Sequence, residues 1–150
     1  MFESINDDAR QTLLTAAEHA RALWHGHIGV EHLLLALVDH ARGPVTEALF
    51  TANLSPRDIW TQARRLVGDA IDGPPEHLPY SPGVKHVLHL AMTESRRLGH
   101  HHIGAEHLLL GILGRLDDPW AGPEVAGEIL QALGAEVGLL RQDLTARLPS

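Results

Sequence analysis

His25–Leu37 reads HGHIGVEHLLLAL, and His100–Ile112 says nearly the same thing as HHHIGAEHLLLGI. A shift of 75 positions lays His25, His27, Ile28, Gly29, Glu31, His32 and Leu33 to Leu35 onto His100, His102, Ile103, Gly104, Glu106, His107 and Leu108 to Leu110. A tandem repeat constrains the fold more than composition does, because similar units stack to share a core. Upstream, Ala9 to Leu23 aligns with Val84 to Leu98, and each run opens through a capping residue, Asn6 in one copy and Ser81 in the other. Downstream, Val45 to Val67 matches Val125 to Leu148 once six extra residues are admitted in the second copy, around LDDPWAGPE.

Leu13, Ala16, Ala17, Ala20 and Leu23 recur at three and four, as do Val87, Leu88, Ala91 and Leu98, and no segment sustains a period of two. Gly29 and Gly104 precede the second helix of each unit, while Asn53 and Gly134 occupy equivalent turns that call for a left-handed residue. The expectation is an all-α protein of two pseudo-symmetric four-helix repeats packed into one globular domain spanning 1–150. Repeat one covers about 1–70, a Pro-rich linker about 71–79, and repeat two about 80–148.

At 150 residues with 44% hydrophobic and 21% charged, the chain can bury a core without staples. It has no cysteine, which removes disulfides, thiol catalysis and thiolate metal sites, and suits a reducing compartment. The start MFESINDDAR lacks the features of a secretory signal, and no apolar run is long enough to cross a bilayer, so a cytoplasmic location without membrane contact is expected. A net charge of −7 argues against nucleic-acid binding and favours a cationic or guanidinium-bearing partner.

The doubled GH-hh-IG-x-EH-LLL phrase, the YSP at Tyr80 to Pro82 and the repeat spacing resemble the Clp repeat domain, the amino-terminal domain of ClpC- and ClpA-type unfoldase ATPases. The likeness runs from Met1-Phe2 to about Leu148. The first copy is more degenerate, with Trp24 where the pattern usually has Gly and Val30 where it usually has Thr. The resemblance implies docking of substrate proteins and Clp adaptor proteins for an ATPase ring coupled to a protease, with no cofactor and a monomeric state in isolation. No GxxxxGK[ST] phosphate loop is present, so the chain itself would not hydrolyse ATP by that family's mechanism. It is expected either as an excised amino-terminal domain or as a free-standing Clp repeat protein, with the initial Met and the drifted first unit favouring the second.

In ClpC-like domains the glutamates matching Glu31 and Glu106 bind the guanidinium of phosphoarginine, and the phosphate sits near the start of a unit's first helix. A bidentate carboxylate suits a guanidinium, and free backbone N–H groups suit a phosphate. Without any ligand, a carboxylate in a first turn is favourable by about 0.3 to 1 kcal/mol. The two copies differ at that helix start: Asn6 is followed by Asp7 and Asp8, whereas Ser81 has Lys85 nearby, although Pro82 removes one donor. The expectation is that phosphoarginine prefers a site built from Ser81, Lys85 and Glu106 over one that uses Glu31 and Asn6.

Phe2, Tyr80 and Lys85 match positions that line a groove for cyclic-peptide antibiotics such as cyclomarin, which a free-standing protein could sequester; alternatively Phe2 and Tyr80 only staple their helix starts. Trp60 is expected in the core and Trp120, inside the extra residues, on the surface. The competing reading is a histidine-rich metal-binding helical protein, since His25 with His27, or His100 with His102, could share an ion. Against it, Glu31 and His32 are adjacent on a helix and diverge by about 100 degrees, and the bland alternative is that the histidines pack and hydrogen-bond their loop. No GxSxG elbow is present, so no catalytic residues are expected.

Overall fold

A computed structural model describes residues 5–40, 42–66 and 77–149. Phe2 and most of the 71–79 linker, up to residue 76, fall outside the described residues. Among the described residues there are eight helices: α1 (Asp7–Ala22), α2 (Val30–His40), α3 (Pro44–Thr51), α4 (Pro56–Leu66), α5 (Pro82–Arg97), α6 (Ala105–Leu116), α7 (Val125–Ala132) and α8 (Val137–Ala146).

Local chemistry sets their ends. Asn6 Oδ1 accepts from the Ala9 N–H at 3.0 Å and Ser81 Oγ from the Val84 N–H at 3.1 Å, so both expected caps start their helices. Four helices end in one and the same double bond to the last turn, made by Trp24 and His25, Asn53 and Leu54, Gly99 and His100, and Gly134 and Ala135. The first residue of each pair has positive φ: 56° at Trp24, 60° at Asn53, 75° at Gly99 and 73° at Gly134. Trp24 therefore holds a bulky side chain where the second repeat uses glycine.

Helices α2 and α6 are apolar nearly all round and form the centre, with Leu33, Leu34, Leu35, Leu108, Leu109 and Leu110 fully or almost fully buried. Each makes an antiparallel hairpin with the helix before it, α1 with α2 and α5 with α6, while α4 meets α7 and α3 meets α8 across the repeat boundary. Helix α6 approaches α5 so closely that a Cβ at Gly111 would stand 2.5 Å from the Val87 carbonyl oxygen.

Polar clamps sit at the margins of this core. Trp60 is half-buried at the rim rather than deep in the core, where its Nε1–H donates to Asp39 Oδ1 at 2.9 Å while His19 Nε2 lies 3.0 Å from Asp39 Oδ2, joining α1, α2 and α4. Burial pushes the Glu94 carboxyl up, but hydrogen bonds from Arg97 and Arg141 outweigh it and hold the group below its ordinary value, tying α5 to α8. Arg147 on the far side donates to Glu47, Thr51 and Asp143, closing the seam between α3 and α8.

Candidate functional site

The repeats are interlocked at their helix starts. Ile5 pairs with Ile103 and Tyr80 with Ile28 as short parallel bridges, through Asn6 N–H to the Ile103 carbonyl at 3.0 Å, Ile28 N–H to the Pro79 carbonyl at 2.9 Å and Ser81 N–H to the Ile28 carbonyl at 2.9 Å. The start of α1 thus lies beside the start of α6, and the start of α5 beside that of α2. Two composite sites result. One combines Asn6, Asp7 and Asp8 with Gly104 and Glu106; the other combines Tyr80, Ser81 and Lys85 with Gly29 and Glu31.

The expected grouping of Ser81 and Lys85 with Glu106 is therefore corrected: the parallel bridges put Ser81 against the Ile28–Gly29 segment that leads to Glu31, and Asn6 against the Ile103–Gly104 segment that leads to Glu106. In both sites the carboxylate folds back over the glycine two residues before it, where a Cβ on Gly29 or Gly104 would overlap it. At Gly104 that Cβ would also stand 3.1 Å from Asn6 Nδ2. A side chain here would displace the carboxylate rather than strain the backbone, since φ at Gly104 is an ordinary −108°. Both glutamates are half-buried, Lys85 is exposed one turn into α5, and Tyr80 is half-buried. Each helix start carries a cation at the matching position, Arg10 and Lys85, but that of α1 also carries Asp7 and Asp8, with Arg10 bound to Asp7 at 3.1 Å, whereas the first turn of α5 has no acidic residue.

Beneath each glutamate lies a histidine relay. The Gly29 N–H donates to His32 Nδ1 at 2.8 Å, and His32 Nε2 lies 2.7 Å from His25 Nδ1; Gly104, His107 and His100 repeat this with the same distances. Because Nδ1 of His32 and His107 accepts a backbone N–H, each ring carries its proton on Nε2 and donates it onward, which makes His25 and His100 acceptors at Nδ1 and proton carriers at Nε2. His100 Nε2–H passes to the Pro149 carbonyl at 2.5 Å, whereas His25 Nε2 is buried with no partner. Burial first, then the neighbouring histidines, pushes His32 down to about 3 and His107 down to about 4, so both are neutral near pH 7. The 3.3 Å approach of Glu106 Oε1 to His107 Nδ1 is accordingly not an ion pair.

With the relay intact, none of these four rings keeps a lone pair for an ion, and among the described residues no group of three or more His, Cys, Asp or Glu is arranged to hold a metal. The four relay rings hydrogen-bond the loop that leads into α2 or α6. Sequence reasoning missed the relay, although His25 and His32, and His100 and His107, stand seven apart in both copies.

These features define an all-helical tandem-repeat domain whose polar sites are shared between the repeats. The chain belongs to the Clp repeat (R) N-terminal domain family, whose profile matches residues 4–121. It is 33% identical over 141 residues to the chloroplastic chaperone protein ClpC1 of Oryza sativa subsp. japonica, covering 94% of this chain and 15% of that protein. The chain thus spans about a seventh of the length of that relative. Its fold is similar to the crystal structure of the N-terminal domain of ClpD from Arabidopsis thaliana, with a TM-score of 0.76, 22% identity and coverage of 98% and 99% of the two chains. A ClpV N-domain solved in complex with a VipB peptide aligns with a TM-score of 0.71 and 18% identity over 99% of this chain and 91% of that one. Among the described residues no helix is long and apolar enough to cross a membrane.

Proposed function

We propose that this domain is a docking module of a Clp protease system. It receives substrate proteins and Clp adaptors, acts in the cytoplasm, and does no chemistry of its own. The family supports docking, as does a relative of the same fold that was solved with a peptide. Within that role, the Ser81–Lys85–Glu31 site reads phosphoarginine. The single observation that carries this is the pairing of Tyr80–Ser81 with Ile28, which sets the capped start of α5, with Lys85 one turn in, against the segment of the other repeat that leads to Glu31.

The planar guanidinium takes the Glu31 carboxylate, and the phosphate takes the α5 start and Lys85. The Asn6–Glu106 site is the weaker one, because Asp7 and Asp8 bring negative charge to the start of α1 and Asp7 already holds Arg10, the match of Lys85, at 3.1 Å. Tyr80 and Lys85 border the same helix start, so a cyclic-peptide antibiotic seated there competes with phosphoarginine. Calorimetric titration with free phosphoarginine, with arginine and phosphate as controls, tests this. Saturable binding is expected, with about tenfold or greater loss in Glu31→Ala and a smaller effect of Glu106→Ala. Equal losses in the two variants refute the asymmetry, and no binding to the intact chain refutes the phosphoarginine reading.

A further inference from the structure

Helix α5 turns a cationic face to solvent. Lys85, His89, Thr93 and Arg96 follow one another at spacings of four, four and three, so they share one side of the helix, and all four are exposed. From Lys85 to Arg96 the stripe runs roughly 16 Å. No acidic side chain is exposed on α5: its one carboxylate, Glu94, is buried and already holds Arg97 and Arg141. Among the described residues Lys85 and Arg96 have no ion pair, and no partner reaches the His89 ring.

The matching face of α1 is built differently. A shift of 75 positions lays the stripe on Arg10, Leu14, Glu18 and Arg21, which are exposed as well. There Asp7 holds Arg10 at 3.1 Å, Glu18 stands three residues before Arg21, and an apolar side chain replaces the imidazole. Acid and base alternate on that face, as they do where a helix merely meets water.

Helix stability does not account for the change in α5. A lysine near a helix start is set against the positive end of the dipole, and with no acidic residue in the first turn nothing offsets it. Lys85 and His89, at i and i+4, repel each other whenever the imidazole is protonated. The α5 face thus carries cations that serve no bond within the fold. Helix α4 exposes Arg57, Arg64 and Arg65, but there Asp58 follows Arg57, and Arg64 lies over the Trp60 ring at 5.6 Å.

Charge and length select the partner. The whole chain carries −7, so a second copy and any long polyanion meet an acidic surface beyond the stripe and are repelled, whereas a short acidic segment stays within it. We infer that the exposed face of α5 docks a short acidic helix of a partner protein, whose carboxylates at i, i+4 and i+11 meet Lys85, His89 and Arg96. Exposed ion pairs are individually weak, so this docking is modest in affinity, fast and strongly salt-dependent. It uses neither Glu31 nor Glu106 and shares only Lys85 with the phosphoarginine reading.

An alanine-based helical peptide with Glu at i, i+4 and i+11 is the probe, and the same peptide with Gln at those places is the control. Binding is followed by two-dimensional NMR of the isotopically labelled chain at low and at physiological salt. The expected result is saturable binding of the Glu peptide alone, with shifts along residues 85–97 and a clear loss of affinity as salt rises. Lys85→Glu and Arg96→Glu, both at exposed positions, each weaken it by about fivefold or more. Arg21→Glu makes the same change in net charge at the matching place on α1 and leaves the binding unchanged. Arg96→Glu leaves phosphoarginine binding as it was, which separates the failure of one reading from the failure of the other. Any of four results overturns the inference: no saturation at low salt, equal binding of the Gln peptide, shifts centred on α1 or α4, or unchanged affinity in both α5 variants. Tighter binding of a single-stranded oligonucleotide, lost in Arg96→Glu, assigns the face to nucleic acid and overturns it too.

Discussion

The histidine loops of the two repeats share their sequence pattern and their inner hydrogen bonds, yet they end differently. In the second repeat the relay runs from the Gly104 N–H through His107 and His100 to the Pro149 carbonyl, so the last turn of the chain is tied back to the loop. In the first repeat it stops at His25 Nε2, buried with no acceptor. The turns feeding the loops differ as well, with strained Trp24 in one and relaxed Gly99 in the other. The first repeat therefore holds the same geometry at greater cost.

Acid is the strongest way to probe this pair. His32 and His107 are neutral in the fold, at about 3 and about 4, against about 6.5 in the unfolded chain. The unfolded chain binds protons that the folded one refuses, so stability from these rings is full above about pH 6.5 and falls as pH drops toward the folded values, by up to about 1.4 kcal/mol per pH unit for each ring. Urea unfolding from pH 7 to 4 should show the slope. His32→Gln and His107→Gln keep an acceptor for the glycine N–H and should each flatten it, His32→Gln over the wider range. An unchanged slope in both variants would break the assignment of neutral rings.

Removing the acceptor altogether is the next largest change. His107→Leu strands the buried Gly104 N–H and should cost about 1–3 kcal/mol by chemical denaturation, and His32→Leu does the same to Gly29. The second-repeat variant should lose more, because it also unseats the bond from His100 to Pro149. Equal losses would mean that the tie to Pro149 contributes nothing.

The smallest effect lies in the turns. Trp24→Gly should stabilise the chain by about 1 kcal/mol in thermal unfolding, and Gly99→Ala should destabilise it by a similar amount, since only glycine holds positive φ without a steric penalty. If Trp24→Gly instead lowers stability, the indole contributes packing that outweighs its backbone strain.

Much of this molecule was legible before any coordinates. The caps at Asn6 and Ser81, the left-handed turns at Asn53 and Gly134 and the apolar stripes of α2 and α6 depend on neighbours within a few residues, and local patterns of that kind are written directly into the chain. The duplication then implied that two such sets share one core. The grouping of Glu106 with Ser81 failed because it assumed that each repeat builds its own site. Parallel pairing of Ile5 with Ile103 and of Tyr80 with Ile28 joins residues far apart in the chain, and no local period encodes which helix start lies beside which. The same holds for the proton positions on the histidines, set by the backbone N–H groups of Gly29 and Gly104 and, in the second repeat, by the Pro149 carbonyl. The sequence alone determined the helices, their ends and their repetition. The tertiary structure decided which ends meet, because that choice belongs to the burial of two units against each other.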